Sequence, residues 1–186
     1  MVVKPPSASA ALPLSCHPGT PCTPVIELSA AASWTGDELI LSYRLEGDLD
    51  ALLMPAPKAS RRTDGLWQHT CLEAFARPVG TEAYFELNFS PSSEWAVYRF
   101  SHYREAMSAV DVHAPLVAVE RNGACLRLDA TVTITMLSEA SELDVGLTAV
   151  IEELGGRVSY WALSHPGSKP DFHAARGFVM RLVRGV

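Results

Sequence analysis

Apolar and polar residues alternate with a two-residue period along much of this chain, most clearly between Arg61 and Tyr103. In the first segment of that stretch, Trp67, His69, Cys71, Glu73 and Phe75 share one parity, against Gln68, Thr70, Leu72, Ala74 and Ala76. In the second, Phe85, Leu87 and Phe89 oppose Tyr84, Glu86, Asn88 and Ser90. In the third, Ala96, Tyr98 and Phe100 oppose Trp95, Val97 and Arg99. Successive side chains leave a β-strand on opposite faces, so the period predicts three strands. The runs Arg-Pro-Val-Gly-Thr and Ser-Pro-Ser-Ser are turn formers, and they join the strands into an antiparallel meander.

The same pattern extends outward. Residues 1–22, rich in Pro, Ser and Ala, predict an irregular N-terminal arm, and 23–186 a single β-sandwich domain. Strands are expected at 25–30 and 38–46, with a turn at Trp34–Glu38 between them. Residues 47–64 predict a long loop with one helical turn near Leu49, because Pro55 and Pro57 bar a longer helix. Strands at 116–120 and 124–135 flank Asn122-Gly123, a strong hairpin signal. A polar crossing at 136–143 with one helical turn leads to strands at 144–154, 157–163 and 178–183. Roughly nine to eleven short strands, with no internal repeat and no long amphipathic helix, predict an all-β fold: an antiparallel β-sandwich of jelly-roll type.

A length of 186 residues suits one domain with a proper core. The net charge of −6 argues against nucleic acid or an anionic membrane as partner, since both call for a basic surface. No stretch is long and apolar enough to span a bilayer, and the N-terminus lacks the order of a secretory signal, so a cytoplasmic location is expected. The four scattered cysteines fit reduced thiols. Cys16, His17 and Cys22 are too loosely spaced for zinc, and no metal site is expected there.

The polar parity of the meander carries the candidate chemistry. It would set Glu73, Glu86, Asn88 and Arg99 on one sheet surface, with Trp67 and Tyr84 beside them. Carboxylates and amides take the directional hydrogen bonds of hydroxyls, and aromatic planes take the C–H face of a sugar ring. The same pattern also describes a solvated outer face. A second informative stretch, Ser164 to His173, gathers His165, Asp171 and His173 in a Pro/Gly loop suited to ligand contact or to loop architecture. Arg61 and Arg62 would lie near the mouth of any such site. No catalytic motif is present. Glu73 and Glu86 fall within the separation of a glycosidase pair, but neighbouring strands lie only about 4.8 Å apart, so that proximity is not evidence of catalysis.

Arg61-x-x-Asp64-Gly65-Leu66-Trp67-Gln68-x-Thr70-Cys71-Leu72-Glu73-x-Phe75 resembles the signature of bacterial DOMON-like proteins. Tyr84-Phe85-Glu86-x-Asn88-x-Ser90-Pro91-Ser92-x-x-Trp95-x-Val97-Tyr98-Arg99-Phe100, Tyr103-Arg104, Tyr160-Trp161-Ala162-Leu163-x-His165 and Pro170-Asp171-Phe172-His173 extend the likeness. It covers the chain from about residue 25 onward and points to the carbohydrate-binding family-nine-like and DOMON superfamily. The resemblance implies a β-sandwich that binds a sugar or a haem in a sheet-face pocket, without catalysis. On that basis Trp67 and Trp161 would be stacking planes. Glu73, Glu86 and Asn88 would take hydroxyls, Arg62 would add charge at the rim, and His165, Asp171 and His173 would close the site. Haem is the rival ligand, with His69, His165, His173 and Met107 as candidate axial ligands. A third possibility is a protein-interaction module with no small ligand. Calcium on Asp37, Glu38 and Asp48 is also open. So are a core role for Trp67, Trp95 and Trp161, and a salt bridge from Glu73 to Arg62 or Arg99.

Overall fold

The structure, a computed structural model, describes residues 10–185. Strands β1 (Leu12–Pro13) and β2 (Ser15–Cys16) lie in the lead-in, followed by the long hairpin of β3 (Val25–Thr35) and β4 (Glu38–Gly47). The predicted meander is β5 (Cys71–Pro78), β6 (Tyr84–Phe89) and β7 (Trp95–Phe100), with the short β8 (Ser108–Ala109) on its edge. The Asn-Gly hairpin joins β9 (Leu116–Asn122) to β10 (Cys125–Thr133). Then come β11 (Glu142–Glu152), β12 (Val158–Ala162) and β13 (Met180–Val183). The expected helical turns are single 3-10 turns at Leu49–Ala51 and Thr135–Leu137.

The strands form two antiparallel sheets, ordered β1-β3-β4-β10-β9 and β2-β12-β11-β5-β6-β7-β8, with β13 also paired to β11. This is the antiparallel β-sandwich of jelly-roll type that the alternation predicts. The core lies between the sheets. Leu39, Leu41, Tyr43 and Leu45 of β4 meet it from one side, and Leu72, Ala74, Phe85, Leu87, Phe89 and Val97 of the meander from the other. Tyr43 also donates its hydroxyl across the sandwich to the Glu73 carbonyl, 2.6 Å away.

Strand β4 buries alternate residues, as a half-exposed strand should. Every residue of β6 is buried, and so are the first six of β5. The cause is a second apolar layer on the outer face of the meander, made by Cys71, Phe75, Tyr84, Tyr98 and Phe100 with Phe178 from a late loop. The meander is therefore covered on both sides, and the polar residues of its outer face are enclosed.

Three expectations need correction. The lead-in is not irregular throughout: Leu12 and Pro13 pair with Ala30 and Ser29, while Ser15 and Cys16 pair with Ala162 and Trp161, so the chain crosses from one sheet to the other. Its first nine residues lie outside the described part. The first meander strand starts at Cys71. Trp67 sits in a 3-10 turn, Leu66–Gln68, entered through Gly65 at φ 78°, a left-handed conformation that glycine adopts without steric cost. Arg99 pairs with Phe85 while Tyr98 pairs with Glu86, which puts Arg99 on the face opposite the carboxylates. Among the described residues no helix is long and apolar enough to cross a membrane.

Candidate functional site

Register assembles the centre of the site. Strands β5 and β6 pair Glu73 with Asn88 and Phe75 with Glu86, so all four leave the outer face of the sheet as neighbours. Above them is a cavity of about 330 Å³. Glu73 and Glu86 form its polar floor, Trp67, Phe75, Phe100, Tyr160 and Phe172 its aromatic walls, and Arg104, Met107 and His173 its remaining edge.

Glu73 is 2% exposed, and its Oε1 has no hydrogen-bond partner. Burial, and then the nearby Glu86, push its pKa well above the usual carboxylate range. Burial also raises that of Glu86, opposed by the hydrogen bond that Asn88 Nδ2 donates to Glu86 Oε1 at 2.8 Å. Asn88 Oδ1 is buried without a partner.

His173 and Arg104 are held by a shared network. The Arg104 backbone N–H donates to the Tyr84 hydroxyl at 3.1 Å, and that hydroxyl lies 2.7 Å from His173 Nδ1. The Tyr84 hydroxyl accepts from Arg104 and so donates to Nδ1, which leaves the His173 proton on Nε2, 3.6 Å from Glu86 Oε2. Burial, then the Arg104 charge, lower the His173 pKa to about 4, so the ring is neutral near neutral pH. Arg104 has a left-handed backbone (φ 56°), a strained conformation for a residue with a Cβ. Its guanidinium is 2.9 Å from Asp171 Oδ1, and Asp171 also accepts from the Tyr103 hydroxyl at 2.8 Å.

Of the expected site residues, Trp67, Glu73, Glu86 and His173 line the cavity. Asn88 bonds to Glu86, and Asp171 acts through Arg104. Trp67 is 38% exposed, and its ring meets Tyr98 edge-on. Three expected residues lie elsewhere. Trp161 faces the sandwich core, its Nε1 donating to Ser159 Oγ at 3.0 Å. Tyr160, on the other parity of β12, supplies the wall instead. His165 binds the Ser15 carbonyl at 2.8 Å and packs on His17, where it fastens the lead-in. Arg62 pairs with Asp64 at 2.7 Å and lies over the Tyr98 ring, outside the cavity lining. No salt bridge from Arg62 or Arg99 reaches Glu73 among the described residues.

Sequence reasoning passed over Tyr160, Phe172 and Arg104 as site residues. All three stand in the quoted motifs, so position beside Trp161, Asp171 and Tyr103 was the available signal. Of the four candidate haem ligands, Met107 and His173 line the cavity; His69 pairs with Glu152 and His165 with Ser15. Of the calcium candidates, Asp37 pairs with Arg184, and Asp48 accepts from the Asp50 N–H. Among the described residues no group of three or more His, Cys, Asp or Glu is placed to hold a metal ion.

No known family's sequence profile matches the chain, and no curated protein matches it. Solved structures do. A protein of Bacteroides uniformis ATCC 8492, provisionally described as carbohydrate-binding, superposes with a TM-score of 0.70 at 16% identity, over 94% of this chain and 85% of that one. A carbohydrate-binding module of family 9 from Caldicellulosiruptor kristjanssonii in complex with glucose gives 0.52 at 10% identity, over 89% and 80%. A family 9 module from the same organism in complex with cellotriose gives 0.54 at 9% identity, over 92% and 82%. At such identities the likeness establishes a shared fold. The DOMON-like resemblance continues to rest on the motifs.

Proposed function

We propose that this protein is a DOMON-like carbohydrate-binding domain that holds a sugar in the outer-face cavity and does no chemistry on it. One observation carries the reading: two buried carboxylates floor a cavity whose walls are aromatic rings, an arrangement that offers hydrogen bonds to hydroxyls and planes to C–H faces. The volume is at the small end for ligand pockets, which favours one ring or a chain end over a long stretch of polymer. The glucose and cellotriose complexes of similarly folded modules support the same ligand class. Burial raises the pKa of both Glu73 and Glu86, and at Glu86 the Asn88 hydrogen bond and the Arg104 charge oppose it. The absence of nucleic-acid and anionic-membrane partners belongs to the same proposal and rests on the net charge of −6.

Haem is the second reading, favoured by Met107 and His173 on one cavity. Against it, Tyr84 already holds His173 Nδ1, and Nε2 faces Glu86. A docking module with no small ligand has the open edge strand β9 in its favour, where Leu116 is 76% exposed. Open sandwiches carry such edges as a rule, and docking leaves the cavity unexplained.

The test is titration calorimetry with a panel of mono- and oligosaccharides, beside an absorption titration with hemin. A sugar should bind at one site, and Trp67→Ala and Glu86→Gln should each weaken it about tenfold, as expected for loss of a stacking plane or a buried hydrogen bond. A Soret band that saturates at one equivalent and vanishes in His173→Ala would replace the sugar by haem.

A further inference from the structure

We propose that the cavity selects a cationic amino sugar over neutral sugars, with the ammonium group seated between Glu73 and Glu86. The proposal rests on the carbohydrate reading above and names the ligand within that class.

The cavity floor, and Asn88 beside it, hold acceptors without donors. Glu73 Oε1 and Asn88 Oδ1 are buried and unpartnered, on residues that face each other across β5 and β6. The Asn88 amide is oriented by Nδ2, which donates to Glu86 Oε1, so its oxygen is the atom left over. Glu86 Oε2 has only the neutral His173 Nε2 within reach, at 3.6 Å, too far for a hydrogen bond. Buried acceptors are nearly always satisfied, and leaving one unpaired is costly.

The charges around them do not balance either. Arg104 is the cation lining the cavity, and it is also paired with Asp171 at 2.9 Å. His173 is uncharged near neutral pH, and Cys71, buried beside Glu73, has its thiol pKa pushed up and stays neutral. Glu86 feels the Arg104 charge, while among the described residues no cationic side chain pairs with Glu73. An alkylammonium supplies what is missing, one positive charge and three donors. The aromatic lining of Phe75, Phe100, Tyr160 and Phe172 suits a cation as well as a sugar C–H surface. A neutral sugar hydroxyl brings one donor and no charge.

Burial and the nearby Glu86 favour a proton on the Glu73 carboxyl, and an ammonium seated beside it favours the carboxylate. Seating the ammonium displaces that proton to solvent: the ammonium keeps its own three, the carboxyl O–H bond breaks, and the carboxylate remains. Amine binding should therefore release a proton that binding of a neutral sugar does not.

The experiment is calorimetry with D-glucosamine and D-galactosamine against D-glucose, D-galactose and N-acetyl-D-glucosamine. It is run at a slightly acidic pH that keeps the amines protonated, in buffers of different ionisation heat. Wild type, Glu73→Gln and Glu86→Gln are compared after circular dichroism shows each is folded. An amine preference of about tenfold or more, reduced to near parity in Glu73→Gln and accompanied by proton release in wild type, is the expected result. Neutral or N-acetylated sugars that bind as tightly as the amines would overturn the inference and leave the carbohydrate reading standing. No binding by any of these sugars or by the oligosaccharide panel would overturn both. Saturable binding of Ca²⁺ alone that is lost in Glu73→Gln would assign the carboxylates to a metal and overturn the inference.

Discussion

Glu94 and Glu73 are both buried, yet their surroundings push them in opposite directions. Glu94, in the turn between β6 and β7, receives Lys58 Nζ at 2.7 Å, Arg61 Nε at 2.9 Å, and the Thr63 and Ser92 hydroxyls at 3.0 Å. The Lys58 bond first, then those of Arg61, Thr63 and Ser92, hold its pKa down to about 2 against the cost of burial. Glu73 has no such donors. The pattern of the sequence put Arg61 and Arg62 near the site mouth. It could not show that Arg61, with Lys58, ties a loop to a glutamate more than thirty residues away. A depressed carboxylate pKa stabilises the fold above the unfolded value, about 4.3, and that contribution is lost as pH falls toward about 2. Glu94→Gln should therefore cost about 1–2 kcal/mol at neutral pH, kept small because Lys58 and Arg61 are exposed. Urea unfolding at neutral pH and near the acid end should show the gap to wild type closing. A gap of constant size would mean that shape, not charge, makes Glu94 matter.

At the scale of elements, alternation located β4 to β7 and β9 to β12 well, because a two-residue period follows directly from strand geometry. It could not choose the face of β12. Tyr160 and Trp161 are both large aromatics, and only pairing to β11 decides that Ala149 and Trp161 look inward while Val150 and Tyr160 look toward the cavity. Nor could composition show that a Pro/Ser-rich lead-in would add a strand to each sheet. Leu14 is buried between β1 and β2, and His165 and His17 fasten the segment to the late loop. A variant lacking residues 1–17 should lose about 2–4 kcal/mol, from the exposure of apolar surface around Leu14 and Trp161. Amide exchange along β12 should rise with it. An unchanged melting temperature and unchanged exchange would return the segment to the status of an arm.

For the molecule as a whole, the sandwich was legible and the position of its site was not. Both parities of the meander carry large aromatics, and only the register of the second sheet against β4 fixes which one is the core. Tyr43 joins those two levels. Its ring is fully buried in β4, and its hydroxyl reaches the backbone of Glu73, the residue at the centre of the cavity floor. The carbonyl it serves has one other side-chain donor, the Thr148 hydroxyl, at a long 3.4 Å. Tyr43→Phe keeps the ring and removes the bond, so it should lower stability by about 1 kcal/mol, the net worth of a buried hydrogen bond. If the sheets form one cooperative unit, the urea midpoint should fall with no change in slope. Fluorescence from Trp34, Trp95 and Trp161, which sample both sheets, should then follow the same curve as the far-ultraviolet signal. Two separated transitions would show that the sheets unfold independently and that Tyr43 does not couple the core to the site.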